Sequence, residues 1–459
     1  MKRQVIALSL LLMLGQAAPT LAADVTVVTT YPANKGPGWK QTIDVAGAVG
    51  PKDAVDFDEG GFVVHDKTTG RERQRFSTRE FWRKVEPANS MDPQKDPNDP
   101  RILYDPLSQR WFACAAGTTV ADCFLAVSTT SDPTQQWRGV KLPLPPIDPY
   151  MKMGVDKNGL YICSCNGDSD WRRGMNCYVI PKSDVIAPGG PILTHGQTFT
   201  NLRFAAMPAT DLDPNKPANA PEVLLVNEFS DGTCGKLYMY KLTWSGLTAS
   251  ISEVQTIQLS KTYQTPSANS AVQPAPGPKL RAGGGNRRLE SAFVYRGSVF
   301  GCNGAKRTAS SRPGILWYEL RIRDGALLQE GFVDDPKCDY LHCSLAVDSR
   351  GNIGVGCTRT SETEFPSVYV MMHAATDPAN IMRAPILAVP GTTYYRYAGL
   401  EAINLSHYST TCIDPSDPNL LWTYQAYGNS TVDKQWCTAW AAFSLSSTIP
   451  KRSALEIGR

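Results

Sequence analysis

Short apolar or alternating runs rich in Val, Ile, Phe, Tyr and Trp follow one another along the chain, separated by clusters of Asp, Gly, Pro, Asn and Ser. That pattern predicts short β-strands joined by tight turns, and no amphipathic helix of any length. A strand–turn–strand phrase recurs at intervals of roughly 50 residues. It reads Arg101-Ile-Leu-Tyr-Asp-Pro-Leu-Ser-Gln-Arg-Trp-Phe, then Lys152-Met-Gly-Val-Asp-Lys-Asn-Gly-Leu-Tyr-Ile. It returns as Glu290-Ser-Ala-Phe-Val-Tyr-Arg-Gly-Ser-Val-Phe, Ser344-Leu-Ala-Val-Asp-Ser-Arg-Gly-Asn-Ile-Gly and Thr410-Thr-Cys-Ile-Asp-Pro-Ser-Asp-Pro-Asn-Leu-Leu.

Four antiparallel strands fit such a unit, which is the blade size of a β-propeller. Seven units can be marked: 45–82, 101–142, 150–186, one from about 202, 288–328, 341–374 and 407–445. The expected fold is therefore all-β, a seven-bladed propeller, with six blades as the alternative because the fourth unit is the most degenerate. Residues 24–459 would form a single domain. An open stack would expose apolar edges, so Asp24-Val-Thr-Val-Val-Thr-Thr is expected to pair with the blade ending in Trp440-Ala-Ala-Phe-Ser-Leu. The stretch near 250–287, rich in Pro, Gly, Ala and Ser over 266–285, reads as an inserted surface loop. Trp111, Trp137, Trp317, Trp422 and Trp440 recur inside strands and are expected to pack between neighbouring sheets.

The first residues change the setting. Met1-Lys-Arg-Gln is a basic start, Val5–Gly15 is too short to span a bilayer, and small residues follow. Residues 1–23 read as a cleaved secretory signal, and the product is expected to be secreted or periplasmic with no membrane span. A formal net charge of +3 without a basic block excludes a nucleic-acid partner. Twelve cysteines in an exported chain point to disulfides rather than metal thiolates. Strand geometry suggests Cys114 with Cys123, and Cys163 or Cys165 with Cys177; Cys165–Cys177 is the pair adopted. No cofactor is expected. Residues 166–170 and 211–215 space oxygen ligands as calcium loops do, but neither has the downstream Glu, and Asp and Asn dominate ordinary turns.

The phrases Val49-Gly-Pro-Lys-Asp, Gly61-Phe-Val-Val-His-Asp-Lys, Tyr104-Asp-Pro-Leu-Ser-Gln-Arg-Trp-Phe and His407-Tyr-Ser-Thr-Thr-Cys-Ile-Asp-Pro resemble a family of secreted bacterial propellers near the sialidase-like propellers. So does Leu125-Ala-Val-Ser-Thr-Thr-Ser-Asp-Pro-Thr-Gln-Gln-Trp. That family is mostly functionally undefined. Sialidase Asp boxes are only echoed by Ser131-Asp-Pro-Thr-Gln-Gln-Trp, and the sialidase reaction is not carried over.

Familiar catalytic motifs are absent. Propeller geometry guides the search instead, because the start of each innermost strand lies at one rim of the central channel. Reading backward from each phrase gives Asp99 and Arg101, Tyr150 and Lys152, Arg203, Arg288 and Glu290, His342, and His407 with Tyr408. Arg101, Lys152, Arg203, Arg288 and Glu290 are the expected ligand contacts, since guanidinium forks match carboxylates and sulfates. His342, His407 and Tyr408 are the expected proton movers. The mixture suits an extracellular glycan, above all an acidic polysaccharide cleaved by β-elimination. Hydrolysis by paired carboxylates has only Glu290, Asp99 and Glu401 to draw on. Trp171 and Tyr394–Tyr397 are loop aromatics that offer flat faces to sugars. The competing reading is a non-catalytic envelope or extracellular module that holds a protein.

Overall fold

The computed structural model describes residues 25–36, 43–87, 97–117, 123–143, 150–165, 174–228, 232–267, 269–282, 288–396, 399–432 and 435–446. The signal segment 1–23, the calcium-like run 166–170, Trp171 and Tyr397 lie outside them. Seven antiparallel sheets follow one another, six of four strands and one, blade 4, of five. Their inner strands are Gly47–Val49, Asn98–Asp105, Lys152–Val155, Met207–Pro208, Ser291–Tyr295, Asp339–Val347 and Thr410–Ile413. Each inner strand touches the next all the way round, so the ring is closed and the molecule is a seven-bladed propeller. Val25–Lys35 completes blade 7 by pairing antiparallel with Cys437–Leu445; Val25 stands opposite Leu445 and Tyr31 opposite Trp440. Among the described residues no helix is long and apolar enough to cross a membrane.

The core lies between blades rather than at the hub. Phe57 and Phe62 of blade 1 pack with Trp111, Phe124 and Trp137 of blade 2. Tyr31 of the closing strand packs with Trp422 and Trp440 of blade 7. Trp111, Trp317 and Trp440 are fully buried, and burying one large aromatic contributes on the order of 2–3 kcal/mol. Backbones must come close for this. A Cβ added to Gly50 would stand 2.4 Å from the Trp111 ring.

The repeated Asp of the strand–turn–strand phrase has a definite task. Asp105, Asp156, Asp348 and Asp414 each end an inner strand and accept backbone N–H groups of the following turn, from Leu107, Asn158 and Gly159, Arg350 and Asn352, and Ser416 respectively. Three of them also take a lysine from the next blade. Lys182 bonds Asp105, Lys216 bonds Asp156 at 2.7 Å, and Lys67 bonds Asp414 at 2.7 and 2.9 Å. The turn face is thereby tied blade to blade by buried ion pairs.

Three expectations are changed. The expected disulfide staples do not form; cysteines that approach each other stop at 3.3–3.6 Å. The reason is register: Cys114 stands opposite Leu125 while Cys123 stands opposite Ala116, and Cys165 stands opposite Met175. It is Cys163 that faces Cys177. A short helix, Thr78–Lys84, follows blade 1, held by a capping box between Ser77 and Glu80. The insertion is not a free surface loop. Thr248–Ile251 and Gln255–Gln264 belong to blade 4, and the chain then crosses the rim as a strap. Lys279–Leu280 pairs in parallel with Ala402–Ile403, and the Gln273 amide bonds both backbone groups of Tyr395. Ala271 and Leu280 pack there with Ile43, Leu341 and Ile403, at the entries to blades 1, 6 and 7.

Candidate functional site

The segments entering the inner strands converge at one rim. Backbone kinks aim several of their side chains inward: Asp99 has φ 48°, His342 φ 50° and Ala205 φ 67°. Asp99 and His342 also sit where the pairing register shifts, at bulges that re-aim side chains. Non-glycine residues adopt such angles at a cost of order 1–3 kcal/mol.

The side chains form two tiers. The lower tier is sealed. Lys152 and Glu290 form an ion pair at 2.9 Å, with side chains 2% and 1% exposed. The Lys152 ammonium lies 4.5 Å from the Tyr408 ring centre and 4.9 Å from that of Tyr150. Arg101 stacks on the same Tyr408 ring, its guanidinium 3.7 Å from the ring centre, and donates Nε–H to the Met151 carbonyl at 2.6 Å. Tyr408 donates its hydroxyl to Asp99 Oδ1 at 2.9 Å. His342 is buried to 1% exposure behind them.

The upper tier meets solvent. Arg203 is exposed, with its guanidinium 3.8 Å from the Tyr238 ring. Arg288 is half-buried over Tyr150 (4.5 Å) and Phe204 (5.0 Å), which stack on each other. His407 keeps 35% of its side chain exposed; its Nδ1 lies 2.8 Å from Asp44 Oδ1, and its Nε2 lies 3.1 Å from Asn404 Nδ2. The rim thus gathers Arg101, Lys152, Arg288 and Glu290, while Arg203 lies further out, over Tyr238 on the strand Thr233–Ser245 of blade 4; Arg203, Arg288 and His407 lie on the solvent side. Tyr408 is a prop beneath Arg101, and Glu401 is exposed on the strap side. Tyr395 is buried, held by Gln273.

Burial tunes these groups. It lowers Lys152 to about 8 despite Glu290, and it raises Glu290 despite Lys152. Burial and the charge of Asp44 push Asp99 up to about 7. Burial alone would lower His407, but the hydrogen bond and charge of Asp44 outweigh it and raise the imidazole; Asp44 is correspondingly held below its usual range, against its own burial. Burial, with the charge of His407, drives His342 down to about 3, so it stays neutral.

Asp44 and Phe204 escaped the sequence reading. Asp44 stands one residue before Val45, the position equivalent to Arg101 in the second unit, so the backward reading reaches it once extended by a residue. Phe204 gives no signal beyond its place beside Arg203. The run 211–215 forms a turn, with Asp213 N–H donating to Asp211 Oδ1 at 3.1 Å and the Lys216 ammonium 3.0 Å from Asp211 Oδ2. Among the described residues no group of three or more His, Cys, Asp or Glu is arranged to hold a metal ion.

No protein-family model matches the chain, and no curated protein sequence matches it; the sialidase-like kinship is therefore not shown. Solved structures with some likeness include an ulvan lyase of a new polysaccharide lyase family, bound to a glucuronic acid–rhamnose sulfate unit, at TM-score 0.43, 10% identity, 88% of this chain and 94% of that one. Another is Kluyveromyces lactis Hsv2, at TM-score 0.36, 12% identity, 87% of this chain and 97% of that one. A Synechocystis apocarotenoid oxygenase mutant gives TM-score 0.41 and 9% identity over 75% of this chain and 72% of that one. At such scores and identities none of these likenesses bears on what the chain does.

Proposed function

We propose that the rim binds an acidic extracellular glycan, in a secreted or periplasmic setting. The observation that carries this reading is the exposed guanidinium of Arg203 laid on the Tyr238 ring, together with half-buried Arg288 over Tyr150 and the partly exposed imidazole of His407. Stacking on Tyr238 fixes the plane of the Arg203 guanidinium and turns its edge N–H groups to a carboxylate or sulfate, while Arg288 adds positive charge. The export reading rests on the N-terminal segment alone.

Processing is the second reading, favoured by the His407–Asp44 pair. Asp44 holds the tautomer with the proton on Nδ1, which leaves Nε2 as the acceptor; the Asn404 amide N–H donates to that lone pair and a substrate must displace it. In a uronate, Nε2 would take the C5 proton while an arginine neutralises the carboxylate. The C5–H electron pair forms the C4–C5 double bond, the C4–O bond breaks, and the leaving oxygen takes a proton from water. Tyr408 is committed to Asp99 and is not assigned that role.

Titration calorimetry with uronate oligosaccharides tests the binding. Micromolar to millimolar affinity that Arg203→Ala weakens supports it; no binding across a broad acidic-glycan panel, with capture of an envelope protein instead, overturns it. Elimination is read by the ultraviolet absorbance of the unsaturated uronate. Its rate should rise with pH through the raised pKa of His407, and Asp44→Asn should move that rise to lower pH.

A further inference from the structure

Beneath the sealed tier the channel holds a cavity of about 130 Å³. Its lining starts at Arg101, Lys152, Glu290 and Ser409 and continues down the inner strands past Met153, Met207 and Leu345. None of the upper-tier residues Arg203, Arg288 and His407 lines it. Three buried polar atoms of its roof make no hydrogen bond: Arg101 Nη2, Glu290 Oε1 and Ser409 Oγ. Arg101 Nη2 has only Asp99 Oδ1 at 3.8 Å, beyond bonding distance. Buried polar groups are seldom left this way, and here three fall in one cavity. Its lining residues Leu103, Leu212 and Ile413 are partly exposed towards the turn face, as Arg101, Ser291 and Thr410 are nearer the rim; the rim end is closed by the ion-paired lower tier, so entry is assigned to the turn face.

We infer that this cavity is a second binding site, for a small hydroxy acid with an apolar body that enters from the turn face. Arg101 Nη2 needs an acceptor, which a carboxylate supplies. Glu290 Oε1 needs a donor, which the adjacent hydroxyl supplies, and Ser409 Oγ can serve either. Arg101 and Lys152 against the single carboxylate of Glu290 favour a monoanion. Asp99 does not reverse that balance, because burial and Asp44 keep it partly protonated near neutrality. The volume suits one ring or a branched chain, since an apolar cavity of about 150 Å³ holds benzene. The methionines and Leu345 provide the apolar wall.

The site stands apart from the rim reading and is tested separately. Calorimetry on the full chain at neutral pH uses mandelate, 2-hydroxyisovalerate and lactate, each against its deoxy counterpart phenylacetate, isovalerate or propionate. The expected result is about tenfold tighter binding of the larger hydroxy acids than of their counterparts. Ser409→Ala, which breaks no hydrogen bond of the folded chain, should reduce that preference severalfold. Leu212→Trp should block entry. Binding of glycan at the rim should survive both substitutions. Absence of binding by every acid, with water alone filling the cavity, overturns the inference. So does equal binding of hydroxy and deoxy acids, or competition with glycan that Arg203→Ala abolishes.

Discussion

The two ends of the channel are built on opposite rules. At the turn face the same device repeats: an Asp closes the inner strand, satisfies the turn behind it, and takes a lysine from the next blade. Those charges are explained by the strands they terminate. At the rim nothing repeats. The entries carry Asp44, Asp99, Tyr150, Arg203, Arg288, His342 and His407, three positions adopt left-handed backbone, and the cations rest on aromatic rings. A repeated pattern serves the architecture that all blades share; the departure from it marks where the molecule has a task of its own.

The largest expected effect tests the turn face. Lys216 is 3% exposed and bonded to Asp156 at 2.7 Å and Glu222 at 3.2 Å, with Asp211 at 3.0 Å. Lys216→Met leaves three buried carboxylates without their cation, a change of the kind that costs about 3–5 kcal/mol. Denaturant unfolding should show that loss, while the remaining folded protein binds acidic glycan as before. A parallel loss of glycan affinity would mean that the two ends are not separate.

The rim should respond the other way. Arg203 is exposed and its guanidinium touches only an aromatic face among the contacts described. Arg203→Ala should alter stability by no more than about 0.5 kcal/mol and weaken glycan binding about tenfold, or about 1.4 kcal/mol. Unchanged binding would sink its assignment as a ligand contact.

The same contrast explains what the sequence discloses. The propeller is legible because the Asp of Tyr104-Asp-Pro and Val155-Asp-Lys is a local necessity, written into each unit by the turn it must make. The converging rim residues are legible as positions, since they precede those phrases. What they do with one another is not. Whether Lys152 faces Glu290, or Arg101 lies over Tyr408, depends on neighbours about 140 and 300 residues away along the chain, which no local pattern encodes. The disulfide pairing failed for a related reason: strand register is fixed by packing, and a two-residue offset separates Cys114 from Cys123. The strap was misread because Pro- and Gly-rich composition describes loops that pack and loops that do not. The helix at Thr78–Lys84 did have a signal, Ser77-Thr-Arg-Glu80, which strand-dominated reading passes over.

The smallest effect sharpens the comparison at a single carboxyl. Asp99 sits at about 7 in the folded chain, raised first by burial and then by Asp44, whereas an unfolded aspartate titrates near about 3.9. The folded state therefore binds this proton more tightly. Its stabilising contribution is complete below about pH 4, declines as the pH rises towards about 7, and is lost above that. Other carboxyls, among them Asp58, also pushed up to about 7 by burial and Asp56, slope the same way, so the rim term must be read as a difference. Thermal unfolding of wild type and Asp99→Asn between about pH 3 and about pH 8 (a range bracketing both values) should show a shallower decline in the variant, by a few degrees. Parallel curves would mean that Asp99 is already ionised in the fold, held by Arg101 rather than by the proton, and the sealed tier would then be one negative charge richer than the hydroxy-acid site requires.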